Sequence, residues 1–252
     1  MGKKTIKDVF GFWQIKSAEL SGKYEIPVIH GTSKIPDDLV LFSNCGKEKH
    51  PENKAVHFYQ FDENFINCLE SEIKLSKKLK VFKRFQSVIL PDYSIYRDMS
   101  LSRQIFQVYN SRAAGNFLMQ NGIRVIPNIR WGDERTYEFA FSGIDKWGVI
   151  AIGVQGAYND KENTESFENG FYKMLDVLEP ETILCYGQIS AGLTAECCYR
   201  HISVKTYQTE ISKVEWSNKL FQNGLNFSAS FADAELQKKT EVMPMSVKQK
   251  RI

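Results

Sequence analysis

The sequence lacks several features by which a protein's class is most easily assigned. Its five cysteines are scattered and form no Cys-x-x-Cys pair, so neither a disulfide framework nor a zinc ribbon is expected. The four histidines have no metal-ligand spacing. No apolar run is long enough to span a membrane, and the N-terminus lacks the apolar core of a secretory signal. These absences predict a cytoplasmic protein with reduced thiols and no membrane partner.

The common nucleotide-binding and hydrolase motifs are also missing. The chain has no Gly-x-x-x-x-Gly-Lys-Ser/Thr loop, which argues against a P-loop enzyme. The segment GVQGAYND lacks the third glycine of a dinucleotide fingerprint, and YGQISAGLTAECC does not match a nucleophile elbow. The 33 basic and 30 acidic residues leave a formal charge of +3, which by itself does not indicate a nucleic-acid partner.

From Ala55 onward, short apolar runs alternate with longer helical patterns. Apolar runs of this kind predict buried parallel strands, because helices cover both faces of such a sheet. The predicted strands are AVHFYQ, SVILPDYS, RVIPNIRW, GVIAIGVQG, TILCYG and SVKTYQT. The predicted helices are residues 62–80, about 100–121, RTYEFAFSGI, TESFENGFYKMLDVLE and about 190–200.

This alternation predicts an α/β core domain over residues 55–212, with a mostly parallel sheet and alternating helices. An incomplete or distorted barrel and an open doubly wound sheet both fit the pattern. Residues 1–54 are expected to form an N-terminal cap segment, whose strands could complete a barrel. Residues 213–252 are expected to form a C-terminal helix and a flexible basic tail.

Polar residues follow several predicted strands, at the edge where parallel α/β folds bind ligands. ILPDYS and VIPNIRW each place a proline, and then Asp92 or Asn128, at the end of the apolar run. Proline lacks the N–H donor of a sheet ladder, so it stops the pairing and fixes the direction of the next side chain. We therefore expect Asp92 and Asn128 to point into one crevice. The other candidate ligand-binding residues at strand ends are Ser94, Arg97, Arg130, Trp131, Gln155 and Tyr186.

The charged candidates each have a functional and a structural interpretation. Asp92 is a candidate general base, nucleophile or metal ligand, or else it caps the turn after the strand. Arg97 and Arg130 would bind a phosphate or carboxylate, or else hold a nearby carboxylate in a structural ion pair. Asp133 and Glu134 are candidate catalytic carboxylates, or else they cap a short helix.

Six segments carry a resemblance to a known family. They are PDYSIY at 91–96, Tyr109 with Arg112, GIRVIP at 122–127, WGDE at 131–134, a Gly-Ile near 143 and Tyr-Gly at 186–187. Over roughly residues 36–190 the chain resembles a domain-of-unknown-function family that is spread among phages, plasmids and other bacterial mobile elements. The resemblance implies a common α/β domain and a mobile-element context. It also adds Arg112 to the candidate ligand-binding residues.

Three functions are compatible with these patterns. The first is an enzyme acting on a nucleotide, nucleic acid or other phosphate- or sugar-bearing ligand, with Asp92 in acid–base chemistry and Trp131 stacked on the ligand. The second is a non-catalytic binder or inhibitor of a host or phage factor, including host-defence components and signalling nucleotides. The third is a nucleic-acid-binding replication accessory that uses the basic residues of 74–84 and the tail. The cofactor stays open, with Mg²⁺ on Asp92 as the candidate and no metal ligands assigned.

Overall fold

The computed structural model of the protein describes residues 11–210, 212 and 213. The chain divides into two compact units, Met1–Tyr207 and Gln208–Ile252. Of the second unit only residues 208–210, 212 and 213 are described, and there Lys213 forms an ion pair with Glu210 at 3.3 Å. The C-terminal helix and basic tail predicted from the sequence lie, beyond Lys213, outside the described residues.

The described part of the first unit starts with a 3-10 helix and a short antiparallel hairpin, and strands and helices follow. In chain order these are β1 (Leu20–Ser21), β2 (Ile26–Pro27), β3 (Asp38–Leu41), β4 (Lys54–His57), α1 (Ile66–Leu69), α2 (Glu72–Phe82), β5 (Ser87–Ile89), α3 (Leu101–Gln120), β6 (Val125–Ile126), α4 (Tyr137–Ala140), β7 (Val149–Gly153), α5 (Lys161–Leu178), β8 (Thr182–Tyr186), α6 (Ala191–Tyr199) and β9 (Ser203–Tyr207). Short 3-10 helices cover Phe12–Gln14, Asp62–Asn64 and Glu134–Thr136.

Seven parallel strands form the centre of this unit. Strands β3, β4, β5 and β6 pair in that order, and β7, β8 and β9 pair in a second sheet. The two sheets meet through Ala151, whose N–H donates to the carbonyl of Pro127 and whose carbonyl accepts from the N–H of Ile129, each at 2.8 Å. The prediction of an α/β fold with parallel strands and alternating helices is confirmed.

The strands curve around a common interior. One buried apolar cluster takes side chains from all seven parallel strands, including Leu39 of β3 and Tyr207 of β9 at the two outer edges. In a flat sheet β3 and β9 would lie at opposite edges, roughly 30 Å apart, so the direct contact between β9 and the residue Pro36 before β3 places the strands on the wall of an open barrel. Tyr207 donates its hydroxyl to the Pro36 carbonyl at 2.6 Å. Among the described residues no strand ladder joins β3 to β9, and the barrel does not close.

Helices cover the outside of this wall in two further apolar clusters. One cluster combines side chains of α1, α2 and α3 with strands β3 to β6, and the other combines α5 and α6 with β7 and β8. In α5 the buried residues Phe171, Met174, Leu175 and Leu178 recur at three- and four-residue spacing, which places them on one face of the helix. This pattern explains why the parallel strands are apolar on both faces.

The helix boundaries agree closely with the sequence prediction for α3 and differ from it for the segment 62–80. The helix predicted at about 100–121 is α3, Leu101–Gln120. The segment predicted as one helix over 62–80 is divided, because Ser71 starts α2 anew by accepting a hydrogen bond from the N–H of Lys74 at 3.5 Å. No helix among the described residues is long and apolar enough to cross a membrane.

Candidate ligand-binding cleft

A cleft of about 760 Å³ opens at the carboxyl ends of β5, β6 and β7. Its volume lies within the range of sites that hold drug-sized ligands. It is lined by residues 95–98 after β5, residues 129–133 after β6, residues 153, 155–157 and 159 after β7, and residues 162, 163, 166 and 167 in the first turns of α5. The location is the one that the order of strands and helices predicts for a ligand site.

Asp92 and Asn128 meet directly beside this cleft. The Asn128 amide donates to Oδ1 of Asp92 at 2.8 Å, and Nη1 of Arg130 donates to Oδ2 at 2.8 Å. The side chain of Asp92 is 11% exposed and that of Arg130 is 24% exposed. Arg130 lines the cleft, whereas Asp92 is not part of its lining. The carboxylate therefore lies behind the arginine and fixes the position of its guanidinium.

The environment of Asp92 also changes its protonation. Burial raises the pKa of this carboxyl above its ordinary value, and the charge of Arg130 and the amide of Asn128 only partly offset that effect. A carboxyl with a raised pKa beside a cleft is a recognised candidate for functional chemistry. Both of its oxygens are already occupied by neighbouring donors, which is the arrangement of a group that positions another side chain.

Two further residues hold Asn128 from the other side. The buried hydroxyl of Tyr59 donates to Oδ1 of Asn128 at 3.0 Å. Arg112, which is fully buried, donates from Nη1 to the Asn128 carbonyl at 2.8 Å and from Nη2 to the Ala140 carbonyl at 3.0 Å. Burial lowers the pKa of Arg112 to about 10. Arg112 thus ties the end of β6 to α4 and does not line the cleft.

The Tyr186 side chain supports Tyr59 from within the barrel. Its ring stacks on that of Tyr59 with centroids 4.7 Å apart and an interplanar angle of 12°. Tyr186 is 1% exposed and does not line the cleft. Desolvation raises the pKa of Tyr59 well above its ordinary value, so its hydroxyl keeps the proton that it donates to Asn128.

The rim of the cleft carries two ion pairs. Nη2 of Arg97 bonds Oε2 of Glu162 at 2.9 Å, which joins the loop after β5 to α5. Asp133 accepts from the backbone N–H of Arg135 at 3.1 Å and from its Nη2 at 2.7 Å. These bonds, led by the Arg135 side chain, lower the pKa of Asp133. Asp133 thus caps the 3-10 helix Glu134–Thr136 at the edge of the cleft.

A second cavity of about 460 Å³ adjoins the first on the far side of the Arg97–Glu162 pair. The two cavities share Arg97, Asp133, Glu162 and Ser166 in their linings. Glu134 is exposed and lines the second cavity only. The two cavities therefore adjoin each other, and the Arg97–Glu162 pair contributes to the lining of both.

Trp131 is buried in the wall of the cleft. Its indole stacks on Phe167 with centroids 5.4 Å apart and donates to the Ser166 carbonyl at 3.3 Å. A Cβ atom at Gly170 would lie 2.0 Å from the indole Nε1. The glycine in the middle of α5 is explained by this contact, since any larger side chain would displace the tryptophan.

The other predicted site residues are divided between the cleft and its surroundings. Gln155 is exposed and lines the cleft. Ser94 instead bonds Asp62, with its hydroxyl donating to Oδ1 at 2.9 Å and its N–H donating to Oδ2 at 3.1 Å. No group of three or more His, Cys, Asp or Glu side chains in the described part of the chain is placed to hold a metal ion.

Several lining residues of the cleft were not predicted from the sequence. Glu162, Asn163, Ser166 and Phe167 reach the cleft from the start of α5. In a parallel α/β fold the helix after a strand begins at the strand's carboxyl end, so the topology already indicates these positions. Tyr59 was missed because its segment was assigned to a strand that in fact ends at His57.

The fold and the cleft define an α/β protein with its candidate site at the carboxyl ends of parallel strands. The family model for a domain of unknown function, DUF4417, matches residues 18–208, and the chain belongs to this family. The resemblance to an uncharacterised phage family is confirmed.

Two similar proteins come from mycobacteriophages. The chain is 30% identical over 173 residues to the Gene 1 protein of Mycobacterium phage L5, and this match covers 68% of the chain and 74% of the phage protein. It is 30% identical over 174 residues to the Gene 1 protein of Mycobacterium phage D29, and this match covers 67% of the chain and 62% of the phage protein. No solved structure matches the chain.

Proposed function

We propose that the protein binds a polar small molecule with a ring and an anionic group, such as a nucleotide or another phosphate- or sugar-bearing compound, in the cleft. The observation that carries this proposal is Arg130, a partly exposed cation of the cleft that Asp92 holds at 2.8 Å. A guanidinium that is already fixed can bind a phosphate or carboxylate with little further loss of side-chain entropy.

The rest of the lining suits the other parts of such a ligand. Tyr96 is 55% exposed and, together with Phe167, offers an aromatic surface for a ring. Gln155, Asn159 and Asn163 offer amide donors and acceptors for hydroxyl or base edges. This mixture of rings with a few polar groups is typical of small-molecule sites.

In this proposal Asp92 is a positioning residue. It acts on the ligand through Arg130, and the network of Asn128, Tyr59 and Arg112 keeps it in place. The catalytic roles considered for Asp92, Asp133 and Glu134 stay predictions, which a search for chemical turnover of the bound ligand would test. The described cysteines are all free thiols, which supports the proposal that the protein acts in the bacterial cytoplasm.

A thermal-shift screen tests the proposal with nucleoside monophosphates, nucleoside triphosphates, cyclic nucleotides and sugar phosphates. At least one compound should raise the Tm of the wild-type protein, because binding to the folded state alone stabilises it. The Arg130→Gln variant should lose that rise, since a charge-assisted hydrogen bond is worth about 1.5–3 kcal/mol.

Arg97→Gln is a second test variant, and the folded protein should tolerate this substitution better than Arg130→Gln. Arg97 lines the same cleft but forms only a rim ion pair, whose loss costs little stability. Arg103→Gln, on the exposed face of α3, serves as the matched control and should keep the full Tm rise. If Arg130→Gln and Arg103→Gln respond to the compound equally, the cleft is not its binding site.

A further inference from the structure

The opposite end of the barrel carries a concentration of exposed cations. Helix α2 and the loops before β4 and β6 all end there, next to the amino ends of β4, β5 and β6. We define the amino-end basic surface as Lys47, Lys49, Lys80, Lys83, Arg84 and Arg124, all of which are exposed. This surface shares no residue with the cleft at the carboxyl ends.

Hydrogen bonds to main-chain carbonyls bring the three segments of this surface together. Nη2 of Arg84 donates to the Glu48 carbonyl at 2.7 Å, which joins the end of α2 to the loop that carries Lys47 and Lys49. Nε of Arg124 donates to the Gln86 carbonyl at 2.7 Å, which joins the start of β6 to the start of β5. Both arginines are therefore held in place while their charges stay at the surface.

The six cations of this surface outnumber the carboxylates on the same three segments, which are Glu48 and the exposed Glu52. Glu48 pairs with Lys54, the first residue of β4, at 3.3 Å. In the part of the chain that the structure describes, none of Lys47, Lys49, Lys80 and Lys83 forms an ion pair. By contrast, the exposed residues near the amino ends of β7 and β8 include Asp145, Glu179 and Glu181. There Lys146 pairs with Glu179, so exposed charges of both signs occur together on the β7–β8 side.

We propose that the amino-end basic surface binds the phosphate backbone of double-stranded nucleic acid without reading its sequence. Lysine and arginine side chains at an exposed edge are the groups that neutralise backbone phosphates. The surface contains no exposed aromatic side chain on which an unpaired base could stack, which favours a duplex over a single strand. It also contains none of the exposed large apolar side chains that would enter a membrane interface.

The test is the binding of the full chain to a labelled DNA duplex of mixed sequence, measured by fluorescence anisotropy over a range of salt concentrations. One variant replaces Lys47, Lys49, Lys80 and Lys83 by Gln, and its control replaces Lys16, Lys23, Lys161 and Lys173 by Gln. All eight lysines are exposed, so both variants are expected to fold and both lose the same net charge. The first variant should bind the duplex at least about tenfold more weakly at low salt. Its salt dependence should also be shallower, by roughly one unit of log–log slope per lysine that contacts a phosphate.

Three results would overturn the proposal. The first is that the wild-type protein does not bind the duplex at low salt. The second is that the two variants lose affinity equally, which would show an effect of net charge alone. The third is that vesicles with anionic lipids bind the protein while the duplex does not, with the loss again confined to the first variant. Circular dichroism and Tm of each variant establish that the comparison is made between folded proteins.

Discussion

Asn128 is the residue on which the candidate site depends most. Its amide donates to Asp92, its side-chain oxygen accepts from Tyr59, and its carbonyl accepts from Arg112. The sequence predicted that Asp92 and Asn128 point into one crevice, because each follows a proline at the end of an apolar run; in the structure they bond each other, and neither lines the cleft. It did not indicate Tyr59, and it offered no way to choose between an ion pair and a ligand contact for Arg130. Those contacts depend on side-chain directions that only the folded strands determine.

The raised pKa of Asp92 gives a prediction with a definite sign. In the folded protein this carboxyl binds its proton at higher pH than in the unfolded chain, so its contribution to the free energy of unfolding falls as pH rises through the folded pKa. The Asp92→Asn variant lacks this pH-dependent contribution to the free energy of unfolding. The stability of the wild-type protein relative to Asp92→Asn should therefore decrease as the pH rises from about 4, the ordinary pKa of the group, through the folded pKa, measured by urea denaturation. A relative stability that increases over this range would mean that Arg130 dominates and that the pKa is lowered.

Gly170 gives a test of the packing around Trp131. A Cβ atom there would lie 2.0 Å from the indole, so Gly170→Ala must displace the ring. We expect a loss of about 1–3 kcal/mol in the free energy of unfolding, together with a shift in tryptophan fluorescence. Gly192→Ala is the matched control, since Gly192 is an exposed helical glycine with an open position for a Cβ atom. It should be neutral or stabilising by up to about 1 kcal/mol. Equal effects of both changes would contradict the packing argument.

At the scale of elements, the order of strands and helices followed from the sequence, but the lengths of some elements did not. Apolar runs and helical periodicity indicated β4 to β9, α3 and α5. The break between α1 and α2 was not predicted, because Ser71 starts a new helix only if the preceding turn has already ended. In a parallel α/β fold a helix that follows a strand begins at the carboxyl end of that strand. This rule would have added the first turns of α5 to the candidate site.

Arg112 connects two elements, and its removal should be costly. It supplies hydrogen bonds to the carbonyl of Asn128 at the end of β6 and of Ala140 in α4. Arg112→Met keeps an apolar chain of similar length but leaves both buried carbonyls without these donors, at about 1–3 kcal/mol each. We expect a loss of about 3 kcal/mol in chemical denaturation. The control Arg103→Met, at an exposed position of the same helix, should change stability by less than about 0.5 kcal/mol. Unchanged stability of Arg112→Met would show that removing a buried charge offsets the lost hydrogen bonds.

At the scale of the whole unit, the two ends of the barrel differ in chemistry. The carboxyl ends form a cleft with a fixed arginine, and part of the amino ends forms the basic surface. The sequence left open whether the strands form a barrel or an open sheet. The answer depends on β3 and β9 sharing the interior cluster, a contact between residues about 170 positions apart in the chain, which local patterns do not encode.

A crystal structure of the protein with the screened compound that raises its Tm most would show directly whether Arg130 binds an anionic ligand. We expect electron density for the compound in the cleft, with its anionic group about 3 Å from a nitrogen of Arg130. The Asp92–Arg130 bond should be retained in that complex, because Asp92 positions the arginine. A compound bound elsewhere, with no density in the cleft, would show that the cleft is not the ligand-binding site.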